Sequence, residues 1–194
     1  MTSKEKILDK ALTLFAENGY DRTTVDQIAQ YVGIKAPSLY KYFAKKEDIL
    51  NALIDAAENR YAENFGSYQQ TSPSTESCEA FARNGFEMIR FIISDPLIRK
   101  MRIFLMQEQF RNKRLATITS QYQIDGIQFM TQKIIEGMMQ NKLFVKGDAA
   151  IIALQFIAPV TLLIAKADRL PDSKKECLKL IKKHIKHFVN TYKK

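Results

Sequence analysis

Apolar side chains recur every three or four residues along most of the chain, the spacing of one face of an α-helix. In the first such segment, 3–18, the apolar stripe is formed by Ile7, Leu8, Ala11, Leu14 and Phe15. No segment shows the two-residue alternation of a half-buried strand, and no internal repeat is found. The pattern predicts an all-α protein.

Polar, Gly and Pro positions divide this pattern into about nine helices. The predicted helices cover 3–18, 25–32, a short stretch ending near 43, 46–65, 76–94, 97–110, 115–140, 148–169 and a last helix that begins at Ser173 as its cap. The stretch 66–77 (GSYQQTSPSTES) is the clearest loop, and Asp95-Pro96 and Leu170-Pro171-Asp172 separate later helices.

The segment from Thr24 to Phe43 predicts two short helices joined at Gly33. Thr24 and Gln27 have the spacing of a capping box, as do Thr2 and Glu5 at the start of the chain. Gly33 can adopt the left-handed conformation of a sharp helix reversal. Two helices joined by a short turn with Gly form the helix-turn-helix motif, whose second helix enters a DNA major groove.

The second helix of this motif directs Leu39 and Phe43 inward and leaves a polar, basic face outward. Between Lys35 and Lys46 there are four lysines and no acid, and hydroxyl groups are interleaved with them, a mixture that suits phosphates. The alternative is a structural helical corner whose lysines are merely solvated. The residues expected to contact DNA are Thr24, Lys35, Ala36, Pro37, Ser38, Tyr40, Lys41, Tyr42 and Lys46.

The first fifty residues resemble the DNA-binding domain of TetR-family transcriptional regulators. The matching segment is KILDKALTLFAENGYDRTTVDQIAQYVGIKAPSLYKYFAKKEDIL, with Gly19-Tyr20 after the first helix and Leu-Tyr-Lys-Tyr-Phe in the third. The chain departs from the family pattern at Lys35 and Lys45, which stand where Ser or Thr usually caps a helix. Lysine cannot accept a capping hydrogen bond, and both changes add positive charge to the expected DNA face.

The resemblance implies a TetR-like architecture, in which a three-helix head precedes a helical ligand-binding and dimerisation body. The expected domains are a DNA-binding domain over 1–46 and an effector-binding and dimerisation domain over 47–194, linked by the helix at about 46–65. At 194 residues and 46% hydrophobic composition, the chain can bury a core for such domains.

The net charge of +9 lies outside the head. Residues 1–60 carry nine basic and nine acidic side chains, whereas residues 61–194 carry 21 basic and 12 acidic ones. DNA binding therefore has to be argued from the local basic strip around the third helix rather than from global charge.

No cofactor or metal site is predicted. Cys78 and Cys177 lie far apart, which fits a reducing cytoplasm rather than a disulfide framework. The polar N-terminus is not a signal peptide. The apolar run 149–165 contains Gln155, Pro159 and Thr161 and is expected to fall short of a membrane span. A cytoplasmic protein without a membrane partner is expected.

The last two helices have the pattern of a dimerisation module. The helix at 148–169 is apolar on several sides, and the last helix carries apolar residues at a heptad-like spacing that one helix cannot bury alone. This resembles the family's homodimer, and packing within a monomer is the alternative. The predicted interface residues are Ile157, Leu178, Ile181, Ile185, Phe188 and Tyr192.

A basic face of the last helix supports a different interpretation. Its lysines could bind a membrane or another polyanion, although such a face is more often the solvated flank of a packed helix. These lysines are Lys175, Lys179, Lys182, Lys183 and Lys186.

Phe and Met are frequent in the middle helices, a pattern that usually marks a core. The family resemblance implies an effector pocket there, suited to a lipophilic or aromatic small molecule. The predicted lining residues are Phe81, Phe86, Met101, Phe104, Tyr122, Phe129 and Met130.

An enzyme is not predicted, because the chain has no Gly-rich phosphate loop and its two histidines, His184 and His187, are expected at the surface. The resemblance to TetR-family regulators implies a ligand-responsive repressor that binds a pseudo-palindromic operator as a homodimer and is released by a small molecule. A helical interaction protein without DNA binding and a polyanion binder are the alternatives.

Overall fold

The computed structural model describes residues 2–66 and 76–194. Most of these residues lie in helices, and no strand is present among them. The all-α prediction is confirmed. Within the loop predicted at 66–77, residues 67–75 lie outside the described part of the chain.

The helix bounds follow the predicted pattern closely. They are α1 (Ser3–Asn18), α2 (Val25–Val32), α3 (Ala36–Tyr40), α4 (Lys46–Phe65), α5 (Cys78–Ser94), α6 (Pro96–Glu108), α7 (Lys113–Ser120), a π-helical stretch (Gln121–Asp125), α8 (Gly126–Gln140), α9 (Ala149–Arg169), a 3-10 turn (Pro171–Ser173) and α10 (Lys174–Tyr192). Because α7, the π-helical stretch and α8 follow one another without a break, residues 2–66 and 76–194 contain nine continuous helical segments, as predicted.

Both predicted capping boxes are confirmed. In the first, the Glu5 amide donates to Thr2 Oγ1 at 3.2 Å and the Thr2 amide donates to Glu5 Oε2 at 2.8 Å. In the second, the Gln27 amide donates to Thr24 Oγ1 at 3.2 Å and the Thr24 amide donates to Gln27 Oε1 at 2.8 Å. These reciprocal bonds satisfy backbone amides that have no partner inside the helix.

Two predictions about helix ends are wrong. Ser173 makes no side-chain cap for α10, because its hydroxyl donates to the Leu170 carbonyl oxygen at 2.7 Å within the 3-10 turn. The helix predicted to reach Phe110 ends at Glu108, and the Phe110 side chain is 90% exposed. At Ser173 a hydrogen bond inside the 3-10 turn replaces the predicted cap. After Glu108 the amides of Arg111 and Asn112 form a turn by donating to the Glu108 carbonyl oxygen.

The chain forms two compact units. One contains α1–α4 with α6 and α7, and its core includes Phe15, Ile28, Leu39, Leu53 and Phe104. The structure thus groups α6 and α7 with the helix-turn-helix, whereas the sequence boundary after residue 46 placed them in the body.

The other unit contains α5, the π-helical stretch and α8–α10. Its core is built around aromatic rings, with centroids 5.3 Å apart for Phe81 and Phe156 and 4.9 Å apart for Phe156 and Phe188. Such close, inclined ring pairs stabilise a core beyond their buried area.

The helix α9 corrects one expectation. Within the described residues it is the one helix long and apolar enough to cross a membrane by length and composition. In the structure, Ile152, Phe156 and Val160 of α9 are instead buried in the core that this helix forms with α5, α8 and α10. Only part of α9 is buried in this way, which leaves an apolar surface described below.

Candidate DNA-binding interface

The turn between α2 and α3 has the backbone geometry that the sequence predicted. Gly33 has φ 81° and ψ 31°, the left-handed conformation, and its amide donates to the Ala29 carbonyl oxygen at 3.0 Å. A Cβ at Gly33 would meet no atom within 4 Å, so the backbone conformation rather than space favours glycine here. The turn sets the direction in which α3 leaves α2.

Two buried anchors hold α3 in place. Leu39 has no exposed surface and Phe43 is 4% exposed, and both pack in the core of the first unit. Lys35 precedes α3 in an extended conformation without a side-chain cap, and its carbonyl oxygen accepts from the Ser38 amide at 2.9 Å. A helix of five residues therefore depends on packing rather than on capping for its stability.

The residues predicted to face DNA lie mainly at the surface. Tyr40 and Tyr42 are 49% and 48% exposed, which is unusual for aromatic side chains without a partner. Thr24, Lys35, Pro37 and Lys41 are exposed as well, and Ser38 is half-buried. Ala36 is half-buried because it packs against the core of the head. The face combines hydroxyls, cations and rings, which suits a nucleic acid.

The Lys46 side chain is engaged within the protein. Its Nζ donates to the carbonyl oxygens of Tyr20 and Asp21 at 2.7 and 3.2 Å and lies 4.5 Å from the Tyr20 ring centroid. The sequence predicts that Lys46 contacts DNA. The structure adds a structural role, because the ammonium joins the start of α4 to the turn after α1.

Glu108 also contacts the turn after α1, a role that nothing in the sequence indicated. Its Oε2 accepts from the Tyr20 amide at 3.0 Å, and Glu108 is 4% exposed. Arg111 Nη1 lies 3.5 Å from Glu108 Oε1. No local signal could have revealed this contact, because Glu108 and Tyr20 are 88 residues apart.

The hydroxyl group of Tyr20 is buried at this place. Burial, followed by the nearby negative charge of Glu47, raises the pKa of Tyr20 from 10.0 to about 12. The phenol therefore stays neutral at any physiological pH.

The predicted effector residues are divided between the two compact units. Met101 and Phe104 belong to the core of the first unit, and Phe81 belongs to the core of the second, where Phe86 packs against it. In the second unit, Tyr122 and Met130 are half-buried and Phe129 is 61% exposed. Their role in effector binding stays a prediction.

Three of the six predicted dimer residues are buried within the protomer, and an interface role for the other three stays a prediction. Ile181, Ile185 and Phe188 are at most 4% exposed in the single chain, where they pack in the core of the second unit. A side chain without free surface cannot form the seam with a partner, so intramolecular packing accounts for this part of the heptad pattern. Ile157, Leu178 and Tyr192 are half-buried and pack against the same core.

A different set of apolar side chains is exposed on the last two long helices. Ile151, Leu154 and Leu162 of α9 are 52%, 47% and 70% exposed, and Leu180 of α10 is 40% exposed. The three α9 residues follow helical spacing, with the exposed Ala158 between them. This set of residues, Ile151, Leu154, Ala158 and Leu162, is named the α9 face.

Metal-binding side chains do not cluster in the described residues. They contain no group of three or more His, Cys, Asp and Glu side chains that could hold a metal ion, and both cysteines are buried and unpaired. His184 is half-buried rather than at the surface, with Nε2 3.0 Å from the Phe156 carbonyl oxygen, whereas His187 is exposed.

Comparison with known proteins agrees with this geometry. Residues 7–53 match the family model described as bacterial regulatory proteins, tetR family. The biofilm operon icaADBC negative transcriptional regulator IcaR of Staphylococcus aureus (strain Newman) is 41% identical over 96 residues, which cover 50% of this chain and 50% of that protein. IcaR of Staphylococcus epidermidis is 45% identical over 58 residues, 30% of this chain and 31% of that protein. The chain thus spans about half the length of the first of these curated relatives, and less of the second.

Solved structures share the fold over the whole chain. SmeT in complex with triclosan superposes with a TM-score of 0.76 at 19% identity, covering 100% of this chain and 93% of that one. A TetR transcription regulator from Haloarcula marismortui gives a TM-score of 0.74 at 16% identity, covering 99% and 98%.

The buried anchors, the left-handed turn and the exposed short helix define a helix-turn-helix motif. The matched head, residues 7–53, is similar to that of tetR-family regulators, and the nine-segment fold of the described residues is shared with solved structures such as the TetR transcription regulator from Haloarcula marismortui.

Proposed function

We propose that this protein is a transcriptional repressor that binds a pseudo-palindromic DNA operator as a homodimer and is released by a small molecule. The observation that carries the proposal is α3, a short helix fixed by Leu39 and Phe43 beneath an outer surface of exposed Tyr40, Lys41 and Tyr42. A rigid helix with free polar and aromatic side chains is what reading base edges requires. IcaR, the relative with the matching head, is named a negative regulator of an operon.

The α9 face supports the homodimer. Apolar side chains as exposed as Leu162 are costly in water, and their alignment on one helix is suited to packing against another copy of the same helix. Two heads held by such an interface would occupy successive major grooves about 34–36 Å apart. The operator would then mirror the twofold symmetry of the protein.

An effector would act by binding one state of the protein better than another. If the DNA-bound state binds the small molecule more weakly, DNA and effector antagonise each other by the same coupling free energy. SmeT has been solved in complex with triclosan, which supports a lipophilic or aromatic effector for the present chain. The proposal places the protein in the cytoplasm, with no catalytic role.

A second function is favoured by α10. Lys175, Lys179, Lys182, Lys183 and Lys186 are all exposed on it. Such a stripe attracts any polyanion, including an anionic membrane surface. Under this alternative, DNA would be bound without sequence preference.

Footprinting on DNA from upstream of the protein's own coding region, at two salt concentrations, tests the proposal. A protected site of twofold symmetry, retained at the higher salt, supports the repressor. Equal affinity for random DNA or for anionic vesicles would contradict it and support the polyanion binder. Phe43→Ala, which empties a core position of the head, serves as the DNA-binding-defective control.

A further inference from the structure

Positive charge is concentrated in a short segment outside the helix-turn-helix. Residues 96–119 carry six Lys and Arg and one acid, whereas residues 1–60 are balanced at nine and nine. The single acid is the buried Glu108, whose Oε1 lies 3.5 Å from Arg111 Nη1, so it offsets the charge of one of these six cations. Although this segment follows the head by some fifty residues, it belongs to the same compact unit.

Three side-chain contacts attach the turn between α6 and α7 to the head. Glu108 accepts from the Tyr20 amide at 3.0 Å, and Asn112 Nδ2 donates to Asp21 Oδ1 at 3.2 Å. Arg114 donates to Asn51 Oδ1 on α4. Contacts to the loop after α1 and to α4 fix the position of the turn.

This attachment brings two cationic side chains to one cleft, and two more follow within three residues of Arg111. Arg22 and Arg111 line the same cleft of about 270 Å³, next to Gly19, Asp21 and Glu108. Arg22, Arg111, Lys113 and Arg114 are all exposed. These four residues are named the turn patch. Of the two carboxylates in the cleft, Asp21 accepts from Asn112, and Glu108 is held by Tyr20 and Arg111.

The turn patch adjoins the expected DNA face. Arg22 lies two residues before Thr24, the cap of α2, which places their Cα atoms within about 7 Å. The Lys46 ammonium, at the start of α4, bonds to the carbonyl oxygen of Asp21 in the same loop. Thr24 and Lys46, at the starts of α2 and α4, are among the residues expected to contact DNA, so a cation beside them lies near the neighbouring phosphates.

We propose that the turn patch is a second DNA-backbone contact, through which the α6–α7 turn supplies the positive charge that the neutral head lacks. This inference rests on the proposed function, because it extends the interface of the same DNA-binding head. The patch binds phosphates of the duplex flanking the sequence read by α3. It adds affinity without adding base discrimination, since phosphate contacts are independent of sequence.

Salt dependence of DNA binding tests the inference on the full-length protein. The double variant Arg22→Gln/Lys113→Gln removes two cations for which no hydrogen bond or ion pair holds the side chain in the described residues, so the fold is kept. The logarithm of the binding constant falls with the logarithm of the salt concentration by about 0.9 for each phosphate contact. The double variant should therefore lower this slope by about 1.8 for each bound protomer, on the footprinted duplex and on an unrelated duplex alike.

The matched control is Lys179→Gln/Lys183→Gln on α10, which removes the same charge from a different surface. The inference expects this control to keep the wild-type slope. It is overturned if the turn-patch variant keeps the full slope while wild type gives a footprint, or if the α10 variant lowers the slope equally, which would assign the effect to net charge. If wild type gives no specific footprint, the proposed function fails and this inference fails with it.

Discussion

The Tyr20 hydroxyl is a buried polar atom for which the described residues provide no hydrogen-bond partner. A buried hydroxyl of this kind loses its hydration without gaining a hydrogen bond. Burial also raises the pKa of Tyr20 to about 12. Because the Tyr20 pKa is higher in the folded protein than in the unfolded chain, its ionisation leaves the free energy of unfolding unchanged below pH 10 and lowers it as the pH rises from 10 towards 12.

We therefore expect Tyr20→Phe to be harmless at neutral pH and protective at alkaline pH. At pH 7 the free energy of unfolding should stay within about 1 kcal/mol of wild type, on the stabilising side. At pH 11 the variant should retain about 1 kcal/mol that wild type loses. Urea denaturation at the two pH values measures both. A loss of more than about 2 kcal/mol at pH 7 would show that the hydroxyl has a partner.

Tyr42 and Phe43 are neighbours in the sequence with opposite roles. Tyr42→Ala should leave the fold intact and weaken operator binding by about 1–3 kcal/mol, with discrimination relaxed at particular base pairs. Phe43→Ala should destabilise the head by about 3–5 kcal/mol because it empties a buried position. Circular dichroism with heating, followed by operator titration, separates the two effects. Unchanged operator affinity in a folded Tyr42→Ala protein would contradict the assigned DNA face.

The end of α6 is joined to the end of α1 by the buried Glu108 carboxylate. Glu108→Ala leaves the Tyr20 amide without an acceptor and should lower the free energy of unfolding by about 1–3 kcal/mol. Glu108→Gln keeps an oxygen acceptor and should cost less. The exposed acid Glu17 on α1 provides the control Glu17→Ala, expected within about 0.5 kcal/mol of wild type. Equal unfolding midpoints for Glu108→Ala and the control would contradict this structural role.

The helix-turn-helix elements were predictable in detail because their determinants are local. Both capping boxes join residues three apart, and the left-handed turn needs only Gly33 and its neighbours. The roles of Glu108 and Lys46 were not predictable, since each contacts Tyr20 across a long stretch of chain. The cap predicted at Ser173 is wrong, because the hydroxyl donates within a 3-10 turn instead.

For the whole molecule, the oligomeric state should depend on the α9 face. Leu162→Glu places a charge on a surface that the proposed dimer buries, so the variant should be a folded monomer that has lost tight binding to the two-half-site operator. Phe110→Glu makes the same kind of exchange at a 90% exposed residue of the other compact unit and should stay dimeric. Sedimentation equilibrium of both variants measures the outcome. A dimeric Leu162→Glu protein would exclude this face as the interface.

The sequence alone determined that the chain is all-α, where most helices begin and end, and which residues anchor α3. These features follow from spacing, capping and backbone preference within a few residues. The tertiary structure alone decided which apolar stripes are buried inside the protomer. Ile181, Ile185 and Phe188 have the pattern of an interface but fill the core of their own unit, whereas Leu162 remains exposed. The periodicity of a helix shows that a stripe must be buried, and only packing shows against what.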